Sequence, residues 1–295
     1  MDKSSIPLVS VFSLVYNHEN FIRRAIDSWL MQKTSFKFEI VIGEDCSTDK
    51  SREIVLSYAK KYPDIIKVIT SDTNVGMREN SRRTKNACTG KYIAFCEGDD
   101  YWIDPNKLQI QVEFMEKNPD FSLCFHDAIL LWDEKTWPPK YFVPLNQKEV
   151  STTEDVIENY FIPTASMLVR AEYIKRLPEW FEKIYNGDWA TQLILSTQGK
   201  IKYIDELMSV YRKNIGGLSG SIGKDVEFVN GKKIELLNYF NQYSENKYAD
   251  LINQKIATLE KDIKINKLKK NNKFLFWLSN PKKSLLKISH HLLSE

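Results

Sequence analysis

Between Leu8 and Cys96 short apolar runs alternate with stretches of helical periodicity, and this rhythm constrains the fold more than any other feature of the chain. Leu8 to Val15, Phe38 to Ile42, Ile65 to Ile69 and Lys91 to Cys96 are continuous β-prone runs, the pattern of strands buried on both faces. Between them lie apolar residues at helical spacing: Phe21, Ile22, Ala25, Ile26, Trp29 and Leu30, then Ile54, Val55, Tyr58 and Ala59, then a third helix from Glu79 to Cys88. The alternation predicts an α/β fold with a mostly parallel sheet flanked by helices. Ligands of such sheets sit outside the carboxyl ends of the strands.

Polar clusters fall at those ends. After the first run comes Tyr16-Asn17-His18-Glu19, and after the second Glu44-Asp45-Cys46-Ser47-Thr48-Asp49. The fourth run ends in Glu97-Gly98-Asp99-Asp100-Tyr101-Trp102, three carboxylates within four residues. An oxygen-only cluster suits a hard divalent cation, Mn2+ or Mg2+, which there could neutralise a diphosphate. An acidic turn that caps the following helix is the plainer alternative. The carboxylates of the second loop can accept from a base N–H or a ribose hydroxyl, or simply cap a helix with Ser47 and Thr48. The Tyr16 ring can flank a base, or be an ordinary half-buried side chain.

Beyond Asp104-Pro105 the rhythm loosens. A helix is expected over 106–117, strands over 121–132 and 165–169, a helix over 188–197, and two short strands over 201–204 and 208–211. The stretch 137–149, with Pro138-Pro139, has no period, and the glycines at 216, 217, 220 and 223 mark a mobile loop. From Val229 the pattern is helical to the end.

Composition narrows the class. No apolar run approaches the ~20 residues that a membrane-spanning helix needs, and the first residues lead straight into a strand, leaving no room for a signal peptide. Cys46, Cys88, Cys96 and Cys124 lack metal or redox spacing and read as reduced core thiols of a cytoplasmic protein. Net charge is only +3, which argues against nucleic acid as a partner. From Leu251 onward, however, ten lysines face only Glu260, Asp262 and Glu295. Interleaved with Ile256, Leu259, Ile263, Phe274 and Trp277, they describe either a basic amphipathic segment on an anionic membrane surface or helices packed on protein.

Taken together, the loops resemble the family 2 inverting glycosyltransferases. The resemblance rests on Val9-Ser-Val-x-Ser-x-x-Tyr-Asn17, Glu44-Asp-Cys-Ser-Thr-Asp49, Asn74-x-Gly76, Gly90-Lys-Tyr-Ile93 and Glu97-Gly-Asp-Asp-Tyr-Trp102, five motifs in family order. It covers at least residues 6–215 and implies a GT-A fold, a nucleotide-sugar donor and a divalent metal. Carried over by position, Asp45 matches the acid that bonds a pyrimidine base, Tyr16 with Asn17 the base-flanking position, and Asp99 the metal ligand. Glu97 stands where relatives carry the first acid of the Asp-x-Asp motif, a ribose or metal contact. Asp100 follows as a supporting acid. Asp188, in Gly187-Asp188-Trp189, matches the catalytic base, and its alternative is an N-cap for the helix that follows.

Three departures stand out. Ser81-Arg82 replaces an Arg-Asn pair, so Arg78, Arg82 and Arg83 are all phosphate candidates, with Arg83 carried forward as a nucleotide contact. Glu97 replaces Asp. Asn214 occupies a place where relatives have His, which removes one protein ligand from the metal. The expectation is a metal-dependent inverting enzyme, a glycosyltransferase that moves a sugar from a UDP-sugar (or, second, a dTDP-sugar) to a glycan or lipid-linked acceptor in bacterial surface polysaccharide synthesis. The competing expectation is an inactive nucleotide-sugar-binding subunit. The chain is expected to divide into a catalytic domain at 1–224, with a nucleotide half at 1–104 and an acceptor half at 105–224, and a basic helical C-terminal extension at 225–295.

Overall fold

In a computed structural model, residues 6–132, 140–213 and 225–279 are described, with side chains to residue 270. The glycine-bearing loop, Asn214, part of the 137–149 stretch and the last tail lysines lie outside the described residues. The chain forms two compact units, Met1–Gly220 and Ser221–Glu295.

The first unit is built on one mixed sheet. Strands β1 (Val9–Val15), β2 (Phe38–Glu44), β3 (Ile66–Ile69) and β4 (Tyr92–Phe95) are all parallel, in the order β3-β2-β1-β4. Helices α1 (Ile22–Leu30), α2 (Ser51–Lys61) and α3 (Gly76–Ala87) connect them. Val9, Val11, Ile40, Ile42, Tyr92 and Ala94 are fully buried together with Ile26 and Trp29 of α1, so the apolar runs are the core.

After β4 the direction of the sheet becomes mixed. The later elements are β5 (Tyr101–Trp102), α4 (Lys107–Lys117), β6 (Phe121–Trp132), β7 (Lys140–Tyr141), β8 (Val150–Ser151) and α5 (Thr153–Glu158). A 3-10 turn at Thr164–Ser166 precedes β9 (Leu168–Arg170), α6 (Ala171–Ile174), α7 (Gly187–Gln198) and β10 (Lys200–Lys213). The sheet continues from β4 as β9-β6-β10-β5, with β9 antiparallel to both neighbours and β10 parallel to β6. This is the α/β architecture of the GT-A type.

Three local expectations change. The two short strands expected at 201–211 are one strand, β10, whose register slips between Ile204 and Leu207 and again before Ser209. The extra residues there break the alternation that a sequence reading relies on. Helix α3 begins three residues early, at Gly76, because Asp45 accepts from the backbone N–H groups of Val75 and Gly76 at 2.8 and 2.9 Å. Asn74 Oδ1 accepts from the same Gly76 N–H at 3.0 Å, and the stronger cap comes from thirty residues upstream, beyond any local pattern. Cys46 is half-buried rather than core, and its backbone is left-handed with φ 57°.

The second unit is a helical pair, α8 (Val226–Tyr243) and α9 (Ala249–Ser279). Asp225 caps α8 by accepting from Glu227 and Phe228 N–H, and the break between helices carries left-handed Glu245 and Asn246. The two helices pack on each other, with Leu236, Leu237 and Phe240 of α8 and Ile252 and Leu259 of α9 buried, while Ile265 and Leu268 stay exposed. No described helix is long and apolar enough to cross a membrane.

Candidate active site

The carboxyl ends of β1, β2 and β4 hold the predicted loops together. Strand β1 is central, so its end is flanked by both neighbours: Asp45 N–H donates to Val15 O at 3.1 Å and Gly98 N–H to Leu14 O at 3.2 Å. Asn17, left-handed at φ 56°, accepts from Thr48 N–H at 2.9 Å, and its own N–H donates to Ser47 Oγ at 3.1 Å. Only a short amide side chain on a turned backbone laces the first loop to the second in this way. Tyr16 precedes it with its ring 44% exposed, available as a face rather than as core.

Asp45 is buried and braced. Its two oxygens take the Val75 and Gly76 N–H groups, and Arg83 Nη2 lies 3.7 Å away. Arg83 donates to Thr70 O at 2.8 Å, Glu44 O at 2.7 Å and Asn80 Oδ1 at 2.9 Å. Its guanidinium therefore stands behind Asp45 as a strut. Arg82 pairs with Glu79 on the surface, and Arg78 donates to Phe181 O at 2.8 Å.

The acid loop follows β4. Gly98 is packed so closely that an added Cβ would lie 2.8 Å from His18 Nδ1 and 2.9 Å from Val15 Cγ2. Glu97 Oε2 accepts from Leu14 N–H at 3.0 Å. Burial pushes the Glu97 carboxyl up to about 8; the Leu14 bond opposes this, and the charges of Asp99 and Asp188 add to it. The charge of Asp188, about ninety residues further on, thus reaches the Glu97 carboxyl. Asp100 is buried and points the other way, accepting from Arg212 N–H at 2.8 Å. Burial, then the Asp99 charge, holds its carboxyl well above the usual range.

Asp188 lies in the first turn of α7, half-buried, and is not its N-cap, which is Asn186. One oxygen accepts from Trp189 N–H at 2.8 Å and the other from the Tyr160 hydroxyl.

Two residues outside the sequence-derived set complete the site. Arg212, at the end of β10, donates from Nη1 to Asp99 O at 2.8 Å and lies 4.5 Å over the Tyr101 ring, with Arg24 3.9 Å from the same ring. It braces the acid loop through backbone and ring contacts. The second is Tyr160, bonded to Asp188, in a segment for which no element was expected. Only the tertiary fold brings Arg212 to the loop and Tyr160 to Asp188, so neither carries a local signal.

A divalent cation fits the donor chemistry. Among the described residues no group of three or more His, Cys, Asp and Glu forms a protein cage. Small hard cations, however, commonly take one or two carboxylates and complete their shell with substrate phosphates. The charges of Asp99 and Asp188 acting on the Glu97 carboxyl are what such a cation would relieve.

Comparison with known proteins agrees with this layout. "Uncharacterized protein Rv1520" of Mycobacterium tuberculosis is 32% identical over 213 residues, 71% of this chain, and the chain spans 60% of that relative's length. Staphylococcus aureus TarS 1-349, solved with UDP-GlcNAc, superposes with a TM-score of 0.63 at 20% identity, over 85% of this chain and 71% of that one. The mannosyltransferase PcManGT of Pyrobaculum calidifontis, solved with GDP-Man and Mn2+, gives 0.59 at 13% identity over 86% and 73%. These two similarities show a common fold. The sequence pattern described as Glycosyl transferase family 2 matches residues 10–177, more than half of the chain, and the protein therefore belongs to that family.

Proposed function

We propose that this chain transfers a sugar from a UDP-sugar to a hydroxyl of a glycan or lipid-linked acceptor, with inversion at the anomeric carbon. The observation that carries the reading is the buried Glu97 carboxyl after β4, held by Leu14 N–H and raised further by the charges of Asp99 and Asp188. Tyr16 flanks the base and Asn17 holds that loop. Asp45 fixes the Asn74–Gly76 turn and turns its remaining lone pairs to the base, with Arg83 acting on the nucleotide through Asp45. Glu97 faces the ribose. The UDP-GlcNAc complex of TarS supports a uridine donor.

Inversion requires the acceptor hydroxyl and the diphosphate on opposite faces of the anomeric carbon. As the acceptor oxygen bonds to that carbon, Asp188 takes its proton. The bond from the carbon to the diphosphate breaks, and the electron pair leaves on the β-phosphate oxygen. Asp99 would hold Mn2+ or Mg2+ together with the phosphates, and the cation's chemistry is to neutralise that leaving charge. The Mn2+ complex of PcManGT supports the metal. Surface polysaccharide assembly on the cytoplasmic face of the membrane is the setting this family resemblance favours. The lysines of α9 beside exposed Ile265 and Leu268 suit an anionic bilayer.

The test is calorimetric titration of UDP with and without Mn2+ on wild type and Asp99→Asn, followed by UDP-sugar hydrolysis. Binding that needs both metal and Asp99, with hydrolysis lost in Asp188→Asn, supports an enzyme. Donor binding without turnover on any UDP-sugar or acceptor would leave a binding subunit instead.

A further inference from the structure

We infer that Tyr160 is the positioning residue for Asp188, tethering the carboxylate and aiming its free lone pairs at the incoming hydroxyl. The inference rests on the reading of Asp188 as the base. Tyr160 follows α5, and its hydroxyl donates to Asp188 Oδ2 while Trp189 N–H holds Oδ1 at 2.8 Å. An aspartate carboxylate rotates freely about its last bond. Two donors from different directions, one backbone and one side chain, remove that freedom and leave one defined face.

Tyr160 stands four residues before Thr164, the first residue of the 3-10 turn. The next residue, Ala165, accepts from the Trp102 indole N–H at 2.9 Å, and Trp102 lies two residues beyond Asp100. The stretch that carries Tyr160 is thus pinned to the segment that carries Asp99. Its ring packs edge-on against Phe142 at 6.1 Å, and Phe142 packs against Tyr211 at 5.5 Å. Burial of the hydroxyl, with the Asp188 charge beside it, keeps its pKa well above 10, so it stays a donor and does not compete for the acceptor's proton.

The residue remains 41% exposed although its hydroxyl is engaged, so it is not an ordinary core tyrosine. Tyr160→Phe removes the hydroxyl and keeps the ring.

The experiment compares wild type, Tyr160→Phe, Asp188→Asn and the double variant of the full chain. The probe is hydrolysis of whichever of UDP-glucose, UDP-galactose and UDP-GlcNAc turns over fastest. UDP affinity is measured by calorimetry in parallel. Tyr160→Phe is expected to lower kcat by about 10- to 100-fold, the scale of a misaligned catalytic group, with UDP affinity within about twofold. Added to Asp188→Asn it should cost nothing more, because residues acting as a unit are not additive. Wild-type kcat in Tyr160→Phe, or equal losses in both Asp188 backgrounds, would overturn the tether alone. Undiminished kcat in Asp188→Asn would overturn the base assignment itself. A Tyr160→Phe variant that loses UDP affinity with kcat intact would make Tyr160 a structural residue and also end the proposal.

Discussion

Replacing Lys107 with Met tests how the fold carries an amine buried beneath the acid loop. Lys107 opens α4 with no exposed surface. Its Nζ donates to Gln111 Oε1 at 2.6 Å and lies 4.2 Å from the Trp102 ring centroid, with no carboxylate paired to it among the described residues. Burial pulls the ammonium from 10.5 down to about 7. At ~1.4 kcal/mol per unit, that shift corresponds to about 5 kcal/mol. Of this, about 3 kcal/mol falls between pH 7 and pH 10, where the native amine goes from half-protonated to neutral. Between pH 7 and 10 the unfolded chain keeps the proton that the native chain gives up. It binds more protons, so stability rises with pH there and the gain levels off as pH falls toward 7. Met fills the volume without a titrating group, although it leaves the Gln111 oxygen unpaired, which costs about 1–3 kcal/mol at every pH. Urea unfolding followed by tryptophan fluorescence should therefore show wild type gaining roughly 3 kcal/mol on Lys107→Met between pH 7 and pH 10. The constant Gln111 term cancels in that difference, as do thiols and tyrosines common to both proteins. A difference that stays flat across those three pH units would refute the argument that this amine is neutral in the native core.

Arg212→Lys removes the planar donor that holds Asp99 O and stacks on Tyr101; UDP affinity in Mn2+ should fall about tenfold, and calorimetry giving wild-type affinity would count against the brace. Gly98→Ala places a Cβ against His18 and Val15, so melting should reveal a loss of about 1–3 kcal/mol, whereas an unchanged melting temperature would mean the loop yields freely. Asp45→Asn turns one acceptor oxygen into an N–H donor facing Val75 or Gly76 N–H, and urea unfolding should show a loss of about 2 kcal/mol along with weaker UDP binding. Full-length protein should float with anionic liposomes, and a form ending at residue 248 should not; failure of the full chain to float would end the membrane reading.

Much of the fold was legible because β1, β2 and β4 are buried on both faces and so read as unbroken apolar runs. The acids at 97 to 100 and Asp45 announce themselves by standing at the ends of those runs. What sequence could not supply was direction. Asp99 and Asp100 are adjacent carboxylates, yet Asp100 turns inward to the Arg212 N–H. Arg83 looks like a phosphate ligand from its charge alone, and only the three acceptors around it reveal a strut. Tyr160 lay in a segment for which no element was expected, because a short helix followed by an irregular segment gives pattern analysis nothing to count. Its partner is twenty-eight residues away and met only through the fold.

The double register slip in β10 has an evolutionary consequence. Asp205 and Glu206 are exposed and resemble dispensable surface. Yet the residues inserted between Ile204 and Ser209 determine which side of the sheet Arg212 reaches, since one residue fewer turns every later side chain over. A single-codon deletion there would turn the brace of the acid loop to the opposite side, while a substitution at codon 206 would pass unnoticed. Lineages of this protein should therefore vary freely in residue type at 206 and hold the spacing from 204 to 209 fixed.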